Sequence, residues 1–438
     1  MRLERWFAKR LALFRSYQLR PRTNSGRADS AVPSAIAPKR QRPKARFASA
    51  LCLIALLLTL TGCAIPRVSA QDRLFLPVSV EFLDEYRIPP QNFQGTPVRG
   101  LSALNYDRDR DRLYLLSDDR GERAPARFYT ANLQLSPEPP SITSVDIEAV
   151  TTLKDEAGAP FAPGSLDPEA LALSPRDTLL IASEGVSRDG IPPFIDEFDL
   201  SGQRVGQLPI PERYISNAYI AQTSTTSPEP AEDVTPQGVQ DNRGFEALTV
   251  VTERMGAGLM EPFRVFAAVE EPLAQDVQSA AQEANNPEEP ARGRLLHYLV
   301  GEDQTLLIAE HLYPIEPKPF GAFNNGLVEL LPLDPGHFLS LERSFGLGGS
   351  GVKLFQIATG GATDTSGIAR FSASVNSIQP IRKQLVLDLT ELGIELDNIE
   401  GMSFGPRLAN GSRSLLMISD DNFSDDQFTQ LLLFRVGS

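Results

Sequence analysis

The chain has 438 residues, 41% hydrophobic and 22% charged, the balance of a folded domain rather than a disordered or fibrous one. Its formal charge of −14 argues against a nucleic-acid-binding surface. Only two cysteines occur, Cys52 and Cys63, both near the N-terminus, so the bulk of the chain has no disulfide framework.

Residues 1–46 carry 13 Lys/Arg against 2 Asp/Glu, and the apolar run Phe47–Gly62 follows at once. A basic region ahead of an apolar run shorter than the ~20 residues of a spanning helix is the pattern of a secretory signal. Two processing sites compete. Leu60–Cys63 (LTGC) resembles a bacterial lipobox and is preferred, whereas Val68–Ala70 (VSA) fits ordinary cleavage. The expectation is an exported protein, periplasmic or extracellular, touching a membrane only through a lipid anchor at Cys63. Without residues 1–62 the formal charge becomes −25, a surface that repels nucleic acid and concentrates cations. Residues 1–70 are therefore assigned to targeting and 71–438 to one folded domain, expected to be a monomer.

From Arg73 onward the chain reads as short apolar runs broken by Gly, Pro, Asp and Asn, the signature of strands and turns. Two polar, Pro-rich stretches, 223–242 and 271–293, are predicted to be disordered insertions, the second with room for a short helix.

Self-comparison shows an internal repeat. First strands read RGLSALNY (99–106), PEALALS (168–174), FEALTVV (245–251), NNGLVELL (324–331) and IEGMSFG (399–405). Aligned on these runs, the key position is Arg99, Glu169, Glu246, Asn325 and Glu400, at intervals of 70, 77, 79 and 75 residues. A second run with a charged ending follows each: RLYLLSDDR, TLLIASEG, RVFAAVEE, HFLSLERS and SLLMISDDN. Third and fourth runs complete most units. The pattern predicts an all-β propeller of five four-stranded blades, with space for a divergent sixth. The last unit ends after three strands, so the spare N-terminal run 73–84 is expected to supply its outer strand.

In such a fold the start of each first strand lies beside the end of the second, and one mouth of the ring collects the acids. Glu169, Glu246 and Glu400 are the candidate catalytic residues or ligands. Asp118, Asp119, Glu184, Glu270, Glu342, Asp420 and Asp421 are candidate metal ligands, and Arg99, Arg120, Arg343 and Lys353 candidate phosphate binders. Oxygen-rich clusters suit Ca²⁺. The alternative is structural, with each acid locking a blade through backbone amides or an arginine. His297, His311 and His337 show no metal-ligand spacing, no G-x-S-x-G is present, and GLGGSG (346–351) lacks the Lys-Ser/Thr of a P-loop.

GLSALNYD…LYLLSDDR, DPEALAL…LLIASEG, GFEALTV and NIEGMSFG…LLMISDDN together resemble the phytase-like (esterase-like activity of phytase) domain of secreted bacterial proteins, over roughly 95–436. The resemblance implies hydrolysis of phosphate esters, by analogy with calcium-dependent propeller phytases. Two functions stay open: a Ca²⁺-assisted phosphoric ester hydrolase acting on a small phosphorylated substrate, and a non-catalytic cell-surface propeller that binds a protein or polymer partner, its acids serving as blade locks.

Overall fold

The computed structural model describes residues 74–223, 235–251, 261–278, 286–371 and 377–437. The basic N-terminal region, the expected signal, Cys63, and positions 224–234 and 279–285 of the two polar stretches lie outside the described residues.

Strand β1 (Ser79–Arg87) leads into a short hairpin, β2 (Gln91–Phe93) and β3 (Thr96–Val98). Blade 1 comprises β4 (Leu101–Asp107), β5 (Arg112–Ser117), β6 (Arg127–Pro137) and β7 (Pro140–Thr152). Blade 2 comprises β8 (Pro168–Leu173), β9 (Thr178–Ser183), β10 (Phe194–Asp199) and β11 (Arg204–Leu208). Blade 3 comprises β12 (Phe245–Val251), β13 (Phe263–Val269), β14 (Ala291–Val300) and β15 (Thr305–Ile315). Blade 4 comprises β16 (Ala322–Asp334), β17 (His337–Gly346), β18 (Gly349–Ala358) and β19 (Arg382–Asp388), and blade 5 holds β20 (Asn398–Arg407), β21 (Arg413–Asp420) and β22 (Gln430–Gly437).

Each blade is an antiparallel meander of four strands, and β1 pairs with β22 to complete blade 5, as expected from the spare N-terminal run. The two ends of the domain are thus joined by main-chain hydrogen bonds, which leaves no blade short of an outer strand. Inner strands β4, β8, β12, β16 and β20 touch in sequence and β20 closes back on β4, so five blades complete the ring.

The inner and second strands of a blade are covered on both faces by neighbouring blades, which is why they read as continuous apolar runs. RLYLLS of β5 and TLLIAS of β9 are buried from their second residue onward. Outer strands alternate instead, as in the first residues of β15 and β11, because one face meets solvent. The core lies between blades: Leu104 and Leu115 pack with Ile418 and Leu433 across the closure, and Ala247 and Phe266 pack with Leu327 and Phe338.

The second polar stretch differs from expectation. Residues 274–276 form a 3₁₀ turn in which Asp276 is buried, and β14 already begins at Ala291. Asp276 accepts from Nε of fully buried Arg294 at 2.6 Å and from the Phe371 amide at 2.7 Å. That ion pair fixes a polar segment which composition alone marks as unfolded.

Candidate active site

Strand register decides which side chains reach the mouth. In all five blades the inner strand carries a β-bulge near its start, so that two residues face one on the second strand. The bulged residues are Ser102, Glu169, Glu246, Val328 and Glu400. Arg99 and Asn325 are therefore not the counterparts of the three glutamates; that alignment is displaced by three residues in blades 1 and 4.

The second strands show a related displacement. Leu101 pairs with Ser117, Pro168 with Ser183, Phe245 with Val269, Leu327 with Glu342 and Ile399 with Ser419. One residue further on stand Asp118, Glu184, Glu270, Arg343 and Asp420, four acids and one arginine at one level of the ring. Glu342 lies one position before this level, and a one-residue step turns a strand side chain to the other face. It accepts from Tyr313 Oη at 2.8 Å, the Glu316 amide at 3.0 Å, Asn325 Nδ2 at 3.2 Å and Lys383 Nζ at 2.5 Å, away from the mouth.

Close approach at this level requires glycine. A Cβ on Gly326 would come within 2.4 Å of Glu270 Cγ. One on Gly100, whose φ is +61°, would meet Asp118 Oδ1 at 2.2 Å.

Asp118, Glu169, Glu246, Glu400, Asp420, Arg120 and Arg343 line a single cleft of about 540 Å³, together with Asp167 and Asn398. Oxygens of Asp167, Glu169 and Glu184 lie within 4.8 Å of one another, and so do oxygens of Glu184, Glu246 and Glu270. Glu184 thus joins two groups of three carboxylates. Burial pushes the Asp118, Glu169, Glu184, Glu246 and Asp420 carboxyls well above the usual range, and neighbouring carboxylates push them further. Burial likewise raises Glu400, and raises Glu270 to about 7, each opposed by Arg343.

Arg343 is the one cation at the centre of this cluster among the described residues. It donates to Asn398 Oδ1 at 2.8 Å and Glu270 Oε1 at 3.1 Å, and lies 3.3 Å from Glu400 and 3.8 Å from Glu246. Arg343 and Arg120, two guanidiniums, do not balance the eight carboxylates of the cluster once Asp167 is included. Asp118 Oδ1 and Glu246 Oε2 are buried with no hydrogen-bond partner, a costly state for acceptor oxygens unless a cation approaches them. Carboxylate oxygens at this spacing could hold a metal ion.

The remaining candidates are occupied. Asp119 accepts from the amides of Glu122, Arg123 and Ala124 and from Arg127 Nη1 at 2.8 Å. Burial alone would raise its carboxyl, but Arg127 and two of those amides outweigh burial and hold it below the usual value. Asp421 accepts from the Gly100 amide and from Arg99 Nε, both at 2.9 Å, which places Arg99 in a lock with the 421–425 loop rather than in the cleft. Arg120 does line the cleft, paired with Asp167 and bonded to Asn242 at 2.8 Å. Lys353 lies beside Glu342 in the sheet and borders a different cavity.

Asp167 is the ligand candidate that the repeat alignment passes over. It directly precedes Pro168 in LDPEALAL, but blades 1, 3 and 4 place Gly100, Gly244 and Gly326 at that position, so no repeated acid marks it. A second buried acid, Glu329, follows the blade-4 bulge, where the other blades have Ala103, Ala170, Ala247 and Gly401.

The phytase-like family model, described as esterase-like activity of phytase, matches residues 96–423, and the chain belongs to this family. No curated protein matches the sequence. Among solved structures, the N-terminal domain of Nup159 is 11% identical with a TM-score of 0.31, covering 82% of this chain and 96% of that one. The catalytic domain of a Coprinopsis cinerea GH62 α-L-arabinofuranosidase is 9% identical with a TM-score of 0.31, covering 82% and 97%. A glucose dehydrogenase is 13% identical with a TM-score of 0.29, covering 80% and 84%.

Proposed function

We propose that the protein is an exported phosphoric ester hydrolase whose site is the acidic mouth of the propeller, assisted by Ca²⁺. The observation that carries this reading is the pair of three-carboxylate groups joined at Glu184, beside the unpartnered oxygens of Asp118 and Glu246. Asp167, Glu169, Glu184, Glu246 and Glu270 would hold the cation. When bound, it would neutralise the carboxylate ring, polarise a phosphoryl oxygen and lower the pKa of a water.

The chain's own residues divide the other tasks. Arg343 and Arg120 face the cleft and offer guanidinium donors to a phosphate. Asn398 orients Arg343 through Oδ1 and Glu400 through Nδ2. Glu400, whose carboxyl Arg343 partly balances, lines the cleft and would accept a proton from an attacking water there. The substrate would be a small phosphorylated molecule bound by a monomer, with membrane contact confined to a lipid on Cys63.

A non-catalytic propeller at the cell surface is the second reading, favoured by Asp119, Asp421 and Glu342, which do act as locks. Phosphate release from phytate and from a chromogenic phosphate ester, in Ca²⁺ and in chelator, separates the two. Ca²⁺-dependent turnover that Glu400→Gln removes without loss of folding supports the hydrolase; no turnover in either condition supports the binding propeller.

A further inference from the structure

We propose that the opposite end of the propeller axis is a second ligand site, built for a small amphiphilic anion. The inner strands run from the acidic mouth to this end, about 20 Å away at ~3.3 Å per residue. All five blades contribute to a cavity of about 360 Å³ there, with Leu173, Val250, Leu331 and Phe404 among its apolar walls and Arg108 and Arg413 at its rim.

The arginines are the unusual feature in so acidic a chain. The guanidinium carbons of Arg108 and Arg413 lie 5.9 Å and 5.1 Å from the centre of one ring, that of Phe404. Arg407 pairs with Arg413 across β20 and β21, which brings a third positive charge to the rim. Among the described residues none of the three has a carboxylate within ion-pair distance, whereas Arg110 and Arg112 nearby in sequence are both paired. Asp334, the one acid lining the cavity, is taken up by the Gly336 and His337 amides and the His337 ring. Partial desolvation and the like charges of Arg407 and Arg413 depress the Arg108 guanidinium, although all three residues are exposed.

Like charges brought together over a ring are stabilised when an anion enters between them. The apolar walls then select an anion with a compact hydrocarbon or aromatic body over a fully hydrated one. This site uses none of the mouth residues and stands whether or not the mouth is catalytic.

Isothermal titration calorimetry of phenyl phosphate into the full chain, in chelator and low salt, tests the site. Binding should weaken about tenfold or more in the Arg108→Ala/Arg413→Ala double variant. It should weaken at high salt, and be unchanged by Lys353→Gln, a cation that borders a different cavity. Inorganic phosphate and benzyl alcohol, each lacking one half of the ligand, should both bind more weakly. Arg413→Lys, which keeps the charge, should retain part of the binding, and a double variant with the wild-type Tm shows that its loss is not a folding defect. No binding to the wild-type chain, equal binding by the double variant, an equal loss in Lys353→Gln, or inorganic phosphate binding as well as phenyl phosphate would each overturn the assignment.

Discussion

Arg343 and Glu270 occupy the same register position in adjacent blades, with opposite charge, and are joined by a 3.1 Å hydrogen bond. Blade 4 thereby inverts the sign of the repeat at the point where three acidic blades would otherwise crowd their carboxylates. Its bulged residue is Val328 rather than Glu, so it gives up both acids of the pattern and supplies the counter-charge.

Removing that charge should be costly. Arg343→Met leaves Glu246, Glu270 and Glu400 buried and facing one another, and breaking a buried pair of this kind costs about 3–5 kcal/mol. Differential scanning calorimetry in chelator should show a clearly lowered Tm, and added Ca²⁺ should recover part of the loss.

Locks and ligands should respond in opposite ways. Asp118→Asn and Glu246→Gln remove a crowded carboxylate with an unpartnered oxygen and are expected to raise or leave unchanged the Tm in chelator while reducing the Ca²⁺-induced rise. Asp119→Asn should lose about 3 kcal/mol or more with and without Ca²⁺, because it leaves the fully buried Arg127 unpaired, and should leave the Ca²⁺-induced rise intact. Thermal melts of the three variants in both conditions provide the comparison.

Glu329 offers a test away from the mouth. Its carboxylate is buried without a cation and accepts from the Leu330 amide at 2.8 Å, and burial pushes its carboxyl well above the usual range. A raised carboxyl pKa means that the folded state keeps the proton that the unfolded chain has lost, so this contribution falls as pH rises from the unfolded value through the folded one. Glu329→Gln should therefore be close to neutral in acid and relatively stabilising at higher pH. Glu329→Ala should cost about 2–4 kcal/mol in acid, from the cavity and the stranded amide, and less at higher pH. Urea unfolding at several pH values distinguishes them.

Asp196 makes the same argument with a defined window. Burial lifts its carboxyl to about 6, despite the Arg204 salt bridge at 2.7 Å. Stability from this group is fully present below the unfolded value near 4 and is lost as pH rises to about 6. Asp196→Asn should flatten the pH dependence of unfolding free energy across that interval, which urea titrations at each end would register.

Much of this architecture is readable from residues alone, and the reasons for the rest are local. The five pairs of apolar runs give the blades because strands buried on both faces cannot alternate, and the unpartnered run before Arg87 gives the closure. The bulges are invisible in the sequence: one extra residue in each inner strand lets Ser102 and Val328, rather than Arg99 and Asn325, stand level with the glutamates. The same blindness favours Glu342 over Arg343, since adjacent charged residues at a strand end look alike until register is known. Asp167 escapes because its counterparts in three blades are glycines. Asp276 escapes because its partner, Arg294, lies beyond a polar, Pro-rich stretch.

Calorimetric titration of Ca²⁺ into the chelator-stripped protein tests the proposed metal site at the mouth most directly. The carboxylate cluster around Glu184 predicts saturable binding that Glu184→Gln abolishes or weakens by at least about tenfold, while Asp421→Asn leaves it in place. No saturable heat in the wild-type protein, or the same binding in Glu184→Gln, would contradict it.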